Sequence, residues 1–475
     1  MATARALLLR LLAAAAAATA AAAAAAAAPA PRLVRIANGA WVNRDGAPVV
    51  LAGPNVVVKG PPYLPTVAAD APACADVVNA ACTAAGTCSS CTTFGPADVA
   101  NFKARGWNAL RLGVVWAGAQ PADADALDPG FLARLDAFLN LTDAAGLAVV
   151  LDNHGDMTGS LNCGNGAPAW VQKAADPAGT MIGRPLTTGL PYSLVPGLDV
   201  TQLGGYGVCG DNATAWAQHA GDPLYNLLSP CCAGMNSDNP GALGFTTLAQ
   251  ATMAYITAPG PGRDAFVRYW RLLAQAAASH PSAVAAELMN EPMTLARGDL
   301  FDTWREAGTA ISAVVPDMSV SVSDTGEAVL LPPWAVPPAG DILISNATLA
   351  WMRESPNVFL AWHWYGLPAN ASDAVAAALA LGAQWGVPTL LTEFMDCAAW
   401  DAASAAGVGH LFWHYSAYCT TGPAFGSRAV PADTFGACIL GWAGGNSAYN
   451  CSAGRGDRGA SGAGGRGLWS CGHRA

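Results

Sequence analysis

Short apolar runs that end in polar or charged residues recur along this chain, and they constrain its fold more than any other feature. One run opens at Ala283 as Ala-Val-Ala-Ala and leads to Asn290, Glu291 and Pro292. Such runs are typical of parallel strands that are buried on both faces, and proline cannot continue a strand ladder. A charged residue at the end of a buried strand is costly unless the site uses it. The pattern therefore predicts a parallel sheet whose strand ends carry chemistry.

Eight such runs alternate with amphipathic segments, which is the signature of βαβ units. The predicted strands are Val49–Asn55, Ala109–Trp116, Ala148–His154, Ala283–Glu291, Met318–Ser323, Val358–His363, Pro388–Glu393 and Gly409–Tyr415. The predicted helices between them include Pro96–Arg105, Pro129–Ala145, Asp264–Ser279, Asp299–Val315 and Ala371–Trp385. This alternation predicts an α/β fold, the (β/α)8 TIM barrel. Ahead of it, Leu33 to Pro48 predicts a hairpin lid with its turn at Asn43–Gly46.

The regular spacing breaks after the third strand. One βα unit of an ordinary barrel takes about 30 residues, so we expect an insertion at about 155–260 within a catalytic barrel of residues 31–451. The large apolar residues of the insertion either shelter a lipid chain or form the insertion's own small core. They are Trp170, Tyr192, Leu198, Tyr206, Trp216, Tyr225 and Phe245. The Gly-, Arg- and Ser-rich tail, 452–475, is expected to be disordered.

Residues 1–30 predict a signal peptide and therefore a secreted protein. Arg5 and Arg10 flank a leucine-rich segment, and an alanine tract with a small-residue exit follows. This order is typical of a cleaved secretory signal, although a retained membrane anchor is the alternative. Possible N-glycosylation sites fit the same compartment. They are Asn140, Asn212, Asn346, Asn370 and Asn450.

The cysteines point to the same compartment. In a secreted chain the 13 cysteines predict disulfides, and their odd number leaves at least one unpaired, for which Cys471 is the candidate. A zinc site is the alternative for one cluster. That cluster is Cys74, Cys82, Cys88 and Cys91.

Composition argues against one class of partner. The chain has a net charge of -10, whereas nucleic-acid binding needs a basic face. Its 16 tryptophans suit stacking on sugar rings, and tryptophan is also an ordinary core residue. We expect no cofactor and no metal, since no metal-ligand spacing exists beyond the cysteines, and we expect a monomer.

In barrel enzymes the chemistry lies at the C-terminal ends of the strands. The candidates at those ends are Arg111, His154, Asn290, Glu291, His363, Tyr365, Glu393 and Trp413. Structural explanations exist for single members, such as a surface cation for Arg111 or core packing for Trp413. Glu291 and Glu393, however, follow two different strands, and two carboxylates are the minimum equipment for cleaving a glycosidic bond.

These eight positions resemble the pattern of family 5 of the glycoside hydrolases, over Leu33 to about Gly441. The resemblance implies a retaining β-glycosidase in which Glu393 is the nucleophile and Glu291 the general acid and base. The six other positions would bind substrate. Among them, Arg111 and Tyr365 would lower the pKa of Glu393, and Trp413 would lie under the reacting ring.

Three segments are also similar to the endoglycoceramidase-related branch of that family, which cuts glycolipids between sugar and ceramide. They are Arg111–Trp116, Leu151–Asp156 and Cys163–Trp170. Two features depart from the branch: Gly155 stands where it usually has glutamine, and the residues after Tyr415 are too few for its C-terminal β-sandwich.

The substrate therefore stays open between a β-glucan-type polysaccharide or mannan and a glycolipid, and a glycolipid would bring the enzyme to a membrane surface. A secreted, non-catalytic carbohydrate-binding or adhesion protein on the same barrel is the alternative function. Loss of either glutamate would be its mark, and both Glu291 and Glu393 are present.

Overall fold

The structure is a computed structural model. It describes residues 31–58, 60–70, 93–155, 158–159, 161, 165–182, 246–294, 296–324, 344–365, 370–394, 397–413 and 415, with the backbone of short strands at 423–425, 428–429, 449–450 and 472–473. The predicted signal peptide, the middle of the insertion and every cysteine side chain lie outside the described residues. So does the tail predicted to be disordered, apart from Gly472–His473, which pairs with Tyr449–Asn450.

Eight parallel strands close into a barrel. They are β1 (Ala52–Val56), β2 (Ala109–Gly113), β3 (Ala148–Asp152), β4 (Ala283–Glu287), β5 (Ser319–Val322), β6 (Val358–Trp364), β7 (Thr389–Phe394) and β8 (Gly409–Phe412). Each pairs with the next strand in the chain, and β8 closes the barrel on β1, with Leu411 opposite Gly53. The predicted (β/α)8 barrel is confirmed.

Helices connect the strands and cover the outside of the barrel. They are α1 (Pro96–Ala104), α2 (Pro129–Ala145), α3 (Pro261–Ala276), α4 (Arg297–Ser312), α5 (Asn346–Glu354), α6 (Ala371–Trp385) and α7 (Cys397–Ala406). The sequence predicted the bounds of α2 and α6 correctly because both carry strong end signals. The side chains of Asp128 and Asn370 cap their first turns, and Gly146 and Gly386 end them in the left-handed conformation.

The fourth strand is shorter than predicted. It ends at Glu287 and not at Glu291. The Leu288 amide donates to the Ser321 hydroxyl at 3.0 Å, and Glu291 adopts a left-handed φ of 40°. The strand therefore stops early, and the backbone turns Asn290 and Glu291 into the mouth of the barrel.

The N-terminal hairpin forms, but its turn was predicted in the wrong place. Strands Val34–Ala37 and Ala40–Asn43 pair through a two-residue turn at Asn38 and Gly39, whose φ values are 51° and 71°. Positive φ at both positions is the requirement of a type I′ turn, which an Asn-Gly pair meets well. Asn43–Gly46 forms the next turn, after the hairpin.

This hairpin closes the N-terminal end of the barrel. Its apolar side chains pack against residues at the beginnings of the strands, in a cluster that includes Val34, Ile36, Trp41, Leu51, Ala109, Ala148, Val284 and Phe359. It is therefore a plug at the end opposite the strand C-termini. The candidate residues lie at the other end.

The two described ends of the predicted insertion contain helices at Ala169–Ala175 and Thr247–Thr257. The second buries Leu248, Met253 and Ile256, and it packs beside α3. The limits of the insertion stay a prediction, because residues 183–245 lie outside the described part. Among the helices described, none combines the length and the apolar character that a membrane span requires.

Candidate active site

The structure brings all eight candidate residues together at the C-terminal end of the barrel, in one connected set of contacts. Six of them are buried, namely Arg111, His154, Asn290, His363, Glu393 and Trp413. The other two are partly open to solvent: the Glu291 side chain is 31% exposed and Tyr365 is 47% exposed.

The two glutamates lie close together, with His363 between them. One side-chain donor atom from each of Glu291, His363 and Glu393 lies within 4.8 Å of the other two. Carboxyl groups about 5–5.5 Å apart suit a covalent double displacement, whereas a water molecule between carboxylate and sugar needs about 6.5–9.5 Å. Side-chain oxygens of Glu291 and Glu393 thus face the same part of the mouth of the barrel.

Glu393 is held as a carboxylate by hydrogen bonds to both of its oxygens. Arg111 Nη1 donates to Oε1 at 2.5 Å, and the Tyr365 hydroxyl donates to Oε2 at 2.5 Å. Burial is the largest single influence and raises the pKa of Glu393. The charges of His363, Arg111 and His154, with the Tyr365 hydrogen bond, outweigh it and lower that pKa to about 2. Glu393 is therefore ionised at any ordinary working pH.

Tyr365 is partly exposed, while its hydroxyl donates to the buried Glu393. Burial of the hydroxyl raises the pKa of Tyr365 well above its ordinary value, and the negative charges of Glu393 and Glu291 raise it further. The phenol therefore keeps its proton. It can act only as a donor to Glu393.

Glu291 is in a different environment. Its Oε1 lies 2.9 Å from His363 Nδ1, and its side chain faces a cleft at the mouth of the barrel. Its backbone is left-handed, with a φ of 40°, a conformation that is strained for a residue other than glycine. Of the two glutamates, Glu291 therefore has the side chain that is more accessible to solvent.

His154 and Trp413 form a stacked pair beside Glu393. Their ring centroids are 5.0 Å apart with an interplanar angle of 13°. His154 Nδ1 lies 2.8 Å from Asp152 Oδ2 and 4.0 Å from Glu393 Oε1. One face of Trp413 is thus covered by His154. Its role under a sugar ring stays a prediction.

Sequence reasoning missed two buried carboxylates at the site. Asp152 Oδ1 and Glu287 Oε1 lie 3.0 and 2.5 Å from Arg111 Nη2, and all three side chains are fully buried. The signal was present, because each acidic residue ends a run of apolar residues in the sequence. Such residues are rarely buried unless they are paired.

A third missed residue, Asn55, joins the site to the seam of the barrel. Its amide nitrogen donates to the carbonyls of Thr392, Leu411 and Phe412, and its oxygen accepts from Arg111 Nη1 at 2.8 Å. The side chain that ties β1 to β7 and β8 therefore also orients the guanidinium.

Glu291, His363 and Glu393 are also a donor set that could ligate a cation. Both oxygens of Glu393, however, already accept hydrogen bonds from Arg111 and Tyr365. A guanidinium against one ligand oxygen opposes a second cation there. A cation at this position would therefore compete with Arg111 for Glu393.

The sequence matches no protein-family model and no curated protein. Solved structures with a similar fold do exist. One is the crystal structure of an endogalactoceramidase, whose sequence is 18% identical to this chain. The match covers 82% of this chain and 75% of the endogalactoceramidase chain, with a TM-score of 0.51. The fold is shared. At this identity the likeness establishes the barrel, as the family resemblance predicted, and nothing further.

Two other structures give lower scores. The endo-glycoceramidase II of Rhodococcus sp., as its lactosyl-enzyme intermediate, is 19% identical with a TM-score of 0.48, covering 82% of this chain and 76% of its own. The catalytic domain of the Thermobifida fusca endoglucanase Cel5A is 15% identical with a TM-score of 0.44, covering 86% and 96%.

Gly155, which departs from the endoglycoceramidase-related pattern, has room for a Cβ, whose nearest neighbour would be the Gly166 Cα at 3.4 Å. It lies against Gly166, and a Cβ on Gly166 would come within 2.7 Å of the Gly155 Cα. The two glycines bring two segments of backbone together at one wall of the cleft beside Glu291. Much of the remaining wall is apolar, from Trp116, Met253, Ile256, Met289 and Met293.

Proposed function

We propose that this protein is a retaining β-glycosidase that cleaves O-glycosidic bonds by double displacement. The observation that carries the proposal is the carboxylate pair, Glu291 and Glu393, within 4.8 Å at the mouth of the barrel. Their surroundings differ as the two roles require. Glu393 is buried and held ionised by Arg111 and Tyr365, whereas Glu291 faces the cleft.

In the first step a carboxylate oxygen of Glu393 attacks the anomeric carbon. The bond from that carbon to the leaving oxygen breaks, and the electron pair stays on the oxygen, which takes the proton of Glu291. The products are a glycosyl ester on Glu393 and a free alcohol. The Asn290 amide, whose oxygen is fixed by Arg111 at 2.9 Å, would bind the sugar 2-hydroxyl.

In the second step water attacks the same carbon. Glu291, now a carboxylate, takes a proton from the water, and the ester bond breaks with its electron pair returning to Glu393. Two inversions give net retention at the anomeric carbon. Arg111 and Tyr365 stabilise the departing carboxylate because they already donate to its two oxygens.

A 2-deoxy-2-fluoro-β-glycoside with a dinitrophenolate leaving group tests this assignment. The wild-type protein should be inactivated with time and carry one sugar on the peptide that contains Glu393. The Glu393→Gln variant is the matched control and should carry none. The reagent should be tried with a cellobiosyl sugar and with a lactosyl sugar. Labelling at another residue, or no labelling by either reagent, would contradict the proposal.

The substrate class is a finer proposal. The leaving group would meet Glu291 at this cleft, and apolar side chains such as Met289 and Met293 lie beside it. Together with the sequence likeness around Cys163–Trp170, this supports a glycolipid substrate. Of the seven large residues that the sequence analysis named in the insertion, only Trp170 is described, and it packs edge-on against Trp116 with ring centroids 5.9 Å apart.

Two substrates separate the alternatives. Purified protein should be offered lactosylceramide in detergent and, in parallel, soluble β-glucan and mannan. Release of free ceramide supports the glycolipid class. Oligosaccharides from glucan or mannan alone would leave a retaining polysaccharide hydrolase. Binding without turnover of any substrate would favour the non-catalytic carbohydrate-binding alternative. Secretion is part of the same proposal and rests on residues 1–30 of the sequence.

A further inference from the structure

One buried cation is shared by three buried carboxylates at this site. Arg111 contacts Asp152, Glu287 and Glu393. We infer that Asp152 and Glu287 are positioning residues that favour formation of the glycosyl ester, because they hold Arg111 and oppose negative charge on Glu393. The inference rests on the proposed function and deepens it.

The geometry keeps the three carboxylates on separate parts of the guanidinium. A carboxylate oxygen of Glu393 lies 2.5 Å from Nη1 of Arg111. Oxygens of Glu287 and Asp152 lie 2.5 and 3.0 Å from Nη2. The side chains of Arg111, Asp152 and Glu287 have no exposed surface, and that of Glu393 is 5% exposed. Solvent screening within the set is therefore weak, and charges act on one another strongly.

Ester formation changes the charge of only one member of this set. In the free enzyme Glu393 is an anion that is attracted by Arg111 and repelled by Asp152 and Glu287. In the glycosyl-enzyme Glu393 is a neutral ester. Arg111 then no longer attracts it, and Asp152 and Glu287 no longer repel it. The two remaining carboxylates still compensate the buried guanidinium. With Glu393 as its sole counter-ion, Arg111 would be left as an uncompensated buried charge, which is strongly destabilising.

The sign of the effect follows from pairwise electrostatics. The attraction between Glu287 and Arg111 is the same before and after the ester forms. It therefore does not change the relative stability of the free enzyme and the glycosyl-enzyme. Repulsion between Glu287 and Glu393 is present only before. Glu287→Gln keeps the shape of the side chain and removes that repulsion. The glycosyl-enzyme of the variant is therefore less stable relative to the free enzyme than that of the wild type.

Two rate constants of a fluorosugar experiment report this difference directly. One is the second-order constant for labelling of Glu393, and the other is the first-order constant for hydrolysis of the labelled enzyme. Glu287→Gln should slow labelling and accelerate hydrolysis, so that the ratio of the two constants falls about tenfold, as expected for a close pair of desolvated charges. Asp152→Asn removes the second carboxylate and should lower the ratio in the same way, although it also changes the contact of Asp152 with His154.

A matched control exists at the opposite end of the barrel. Asp143, in α2, lies 2.8 Å from Nδ1 of the buried His280 and accepts from the Ser282 amide near the start of β4. Asp143→Asn removes a carboxylate from a buried pair without touching Arg111. Any loss of stability that slows the enzyme indirectly should appear in this variant too, and the ratio of the two constants should stay that of the wild type.

The outcomes are distinct. Equal slowing of labelling and of hydrolysis would show that Asp152 and Glu287 act only through structure, and it would overturn the inference. So would constants unchanged in both variants. If Glu287→Gln does not fold, Asp152→Asn decides alone. A wild-type protein that is never labelled would instead remove the proposed function, and with it this inference.

Discussion

The eight barrel strands begin and end in opposite environments. At their N-terminal end, the hairpin seals the barrel with Ile36 and Trp41 packed against small and aliphatic residues. At their C-terminal end, a few residues further along the same strands, Arg111 is buried among three carboxylates. Both ends are closely packed and both bury an arginine. At the first end Arg32 pairs with the partly exposed Asp317, whereas at the second end Arg111 is enclosed with carboxylates that are themselves buried.

The difference separates what stabilises the molecule from what the molecule does. Burying an apolar side chain such as Trp41 stabilises the fold by removing its surface from water. Burying Arg111, Asp152 and Glu287 requires several kcal/mol of desolvation to be offset by pairing, so such sets are weak evidence for stability. Changes at the plug should therefore act on folding, and changes at the mouth should act on catalysis.

The largest expected effect is at the mouth. Glu393→Gln and Glu291→Gln should each reduce turnover of a natural β-glycoside by several orders of magnitude, because each removes a group that reacts. Glu291→Gln should leave the melting temperature almost unchanged because Glu291 is partly exposed, whereas Glu393→Gln should lower it, because the carboxylate that Arg111 and Tyr365 stabilise is lost. Steady-state kinetics and thermal unfolding measured on the same preparations check both parts.

The leaving group distinguishes the two glutamates. With a dinitrophenolate, which needs no proton to depart, Glu291→Gln should keep a fast first step and accumulate the glycosyl-enzyme. The activated leaving group should not restore the activity of Glu393→Gln, because the nucleophile itself is missing. Undiminished hydrolysis of the natural substrate in either variant would contradict the assignment of catalysis to the C-terminal end of the barrel.

The next effect is at the plug. Trp41→Ala should lower the free energy of unfolding by about 3–5 kcal/mol, the usual cost of emptying a buried aromatic site. The Trp41 ring lies 5.2 Å from Phe359 and far from the carboxylates in the topology of the barrel. The kcat of the folded protein should stay unchanged. Denaturant titration and kinetics below the transition check this, with Trp41→Phe as the conservative control.

A Trp41→Ala variant that stayed stable but lost activity would reverse the assignment of the two ends. The control should retain most of the stability, because phenylalanine keeps the ring contact. It also removes an indole N–H that has no hydrogen-bond partner among the described residues.

A smaller effect should appear with pH. His410, at the start of β8, is buried against Trp400. Burial lowers its pKa from 6.5 to about 4, although its hydrogen bond with the Val408 carbonyl raises it. The unfolded chain therefore binds a proton between pH 6.5 and 4 that the folded protein does not. Stability from this residue is complete above pH 6.5 and falls by about 3 kcal/mol toward pH 4.

The pKa of Glu393 is lowered to about 2, so this residue affects stability only at a much lower pH than His410 does. Its contribution is present above the ordinary carboxyl value and is lost only as pH falls toward 2. Unfolding measured from pH 7 to 4 should show the decline, and His410→Asn, which cannot titrate, should flatten it. An unchanged slope in that variant would remove His410 as its cause.

The sequence predicted the barrel because its signals are local and repeated. Asp128 and Gly146 delimit α2 without reference to anything distant, and the apolar runs of β2 and β3 announce buried strands. The hairpin turn was misplaced because two turn signals, Asn38–Gly39 and Asn43–Gly46, stand close together. Only pairing across the hairpin selects the first.

The site was harder to predict in full because its electrostatics are not local. Arg111 and Glu393 were recognised at strand ends, but nothing in the chain order says that Glu287 and Asp152 share the same guanidinium. That depends on the closed barrel, which points alternate side chains of neighbouring strands inward. Glu291 shows the same limit, because its left-handed backbone is set by contacts of the loop after β4.

The central claim, double displacement by Glu291 and Glu393, is tested most directly by the configuration of the first product. Proton NMR of the anomeric signals should be followed from the first turnovers of an aryl β-glycoside that the protein hydrolyses, before mutarotation. The carboxylate spacing within 4.8 Å predicts that the β-anomer appears first and the α-anomer only later. Initial release of the α-anomer would mean a single displacement by water and would contradict the account.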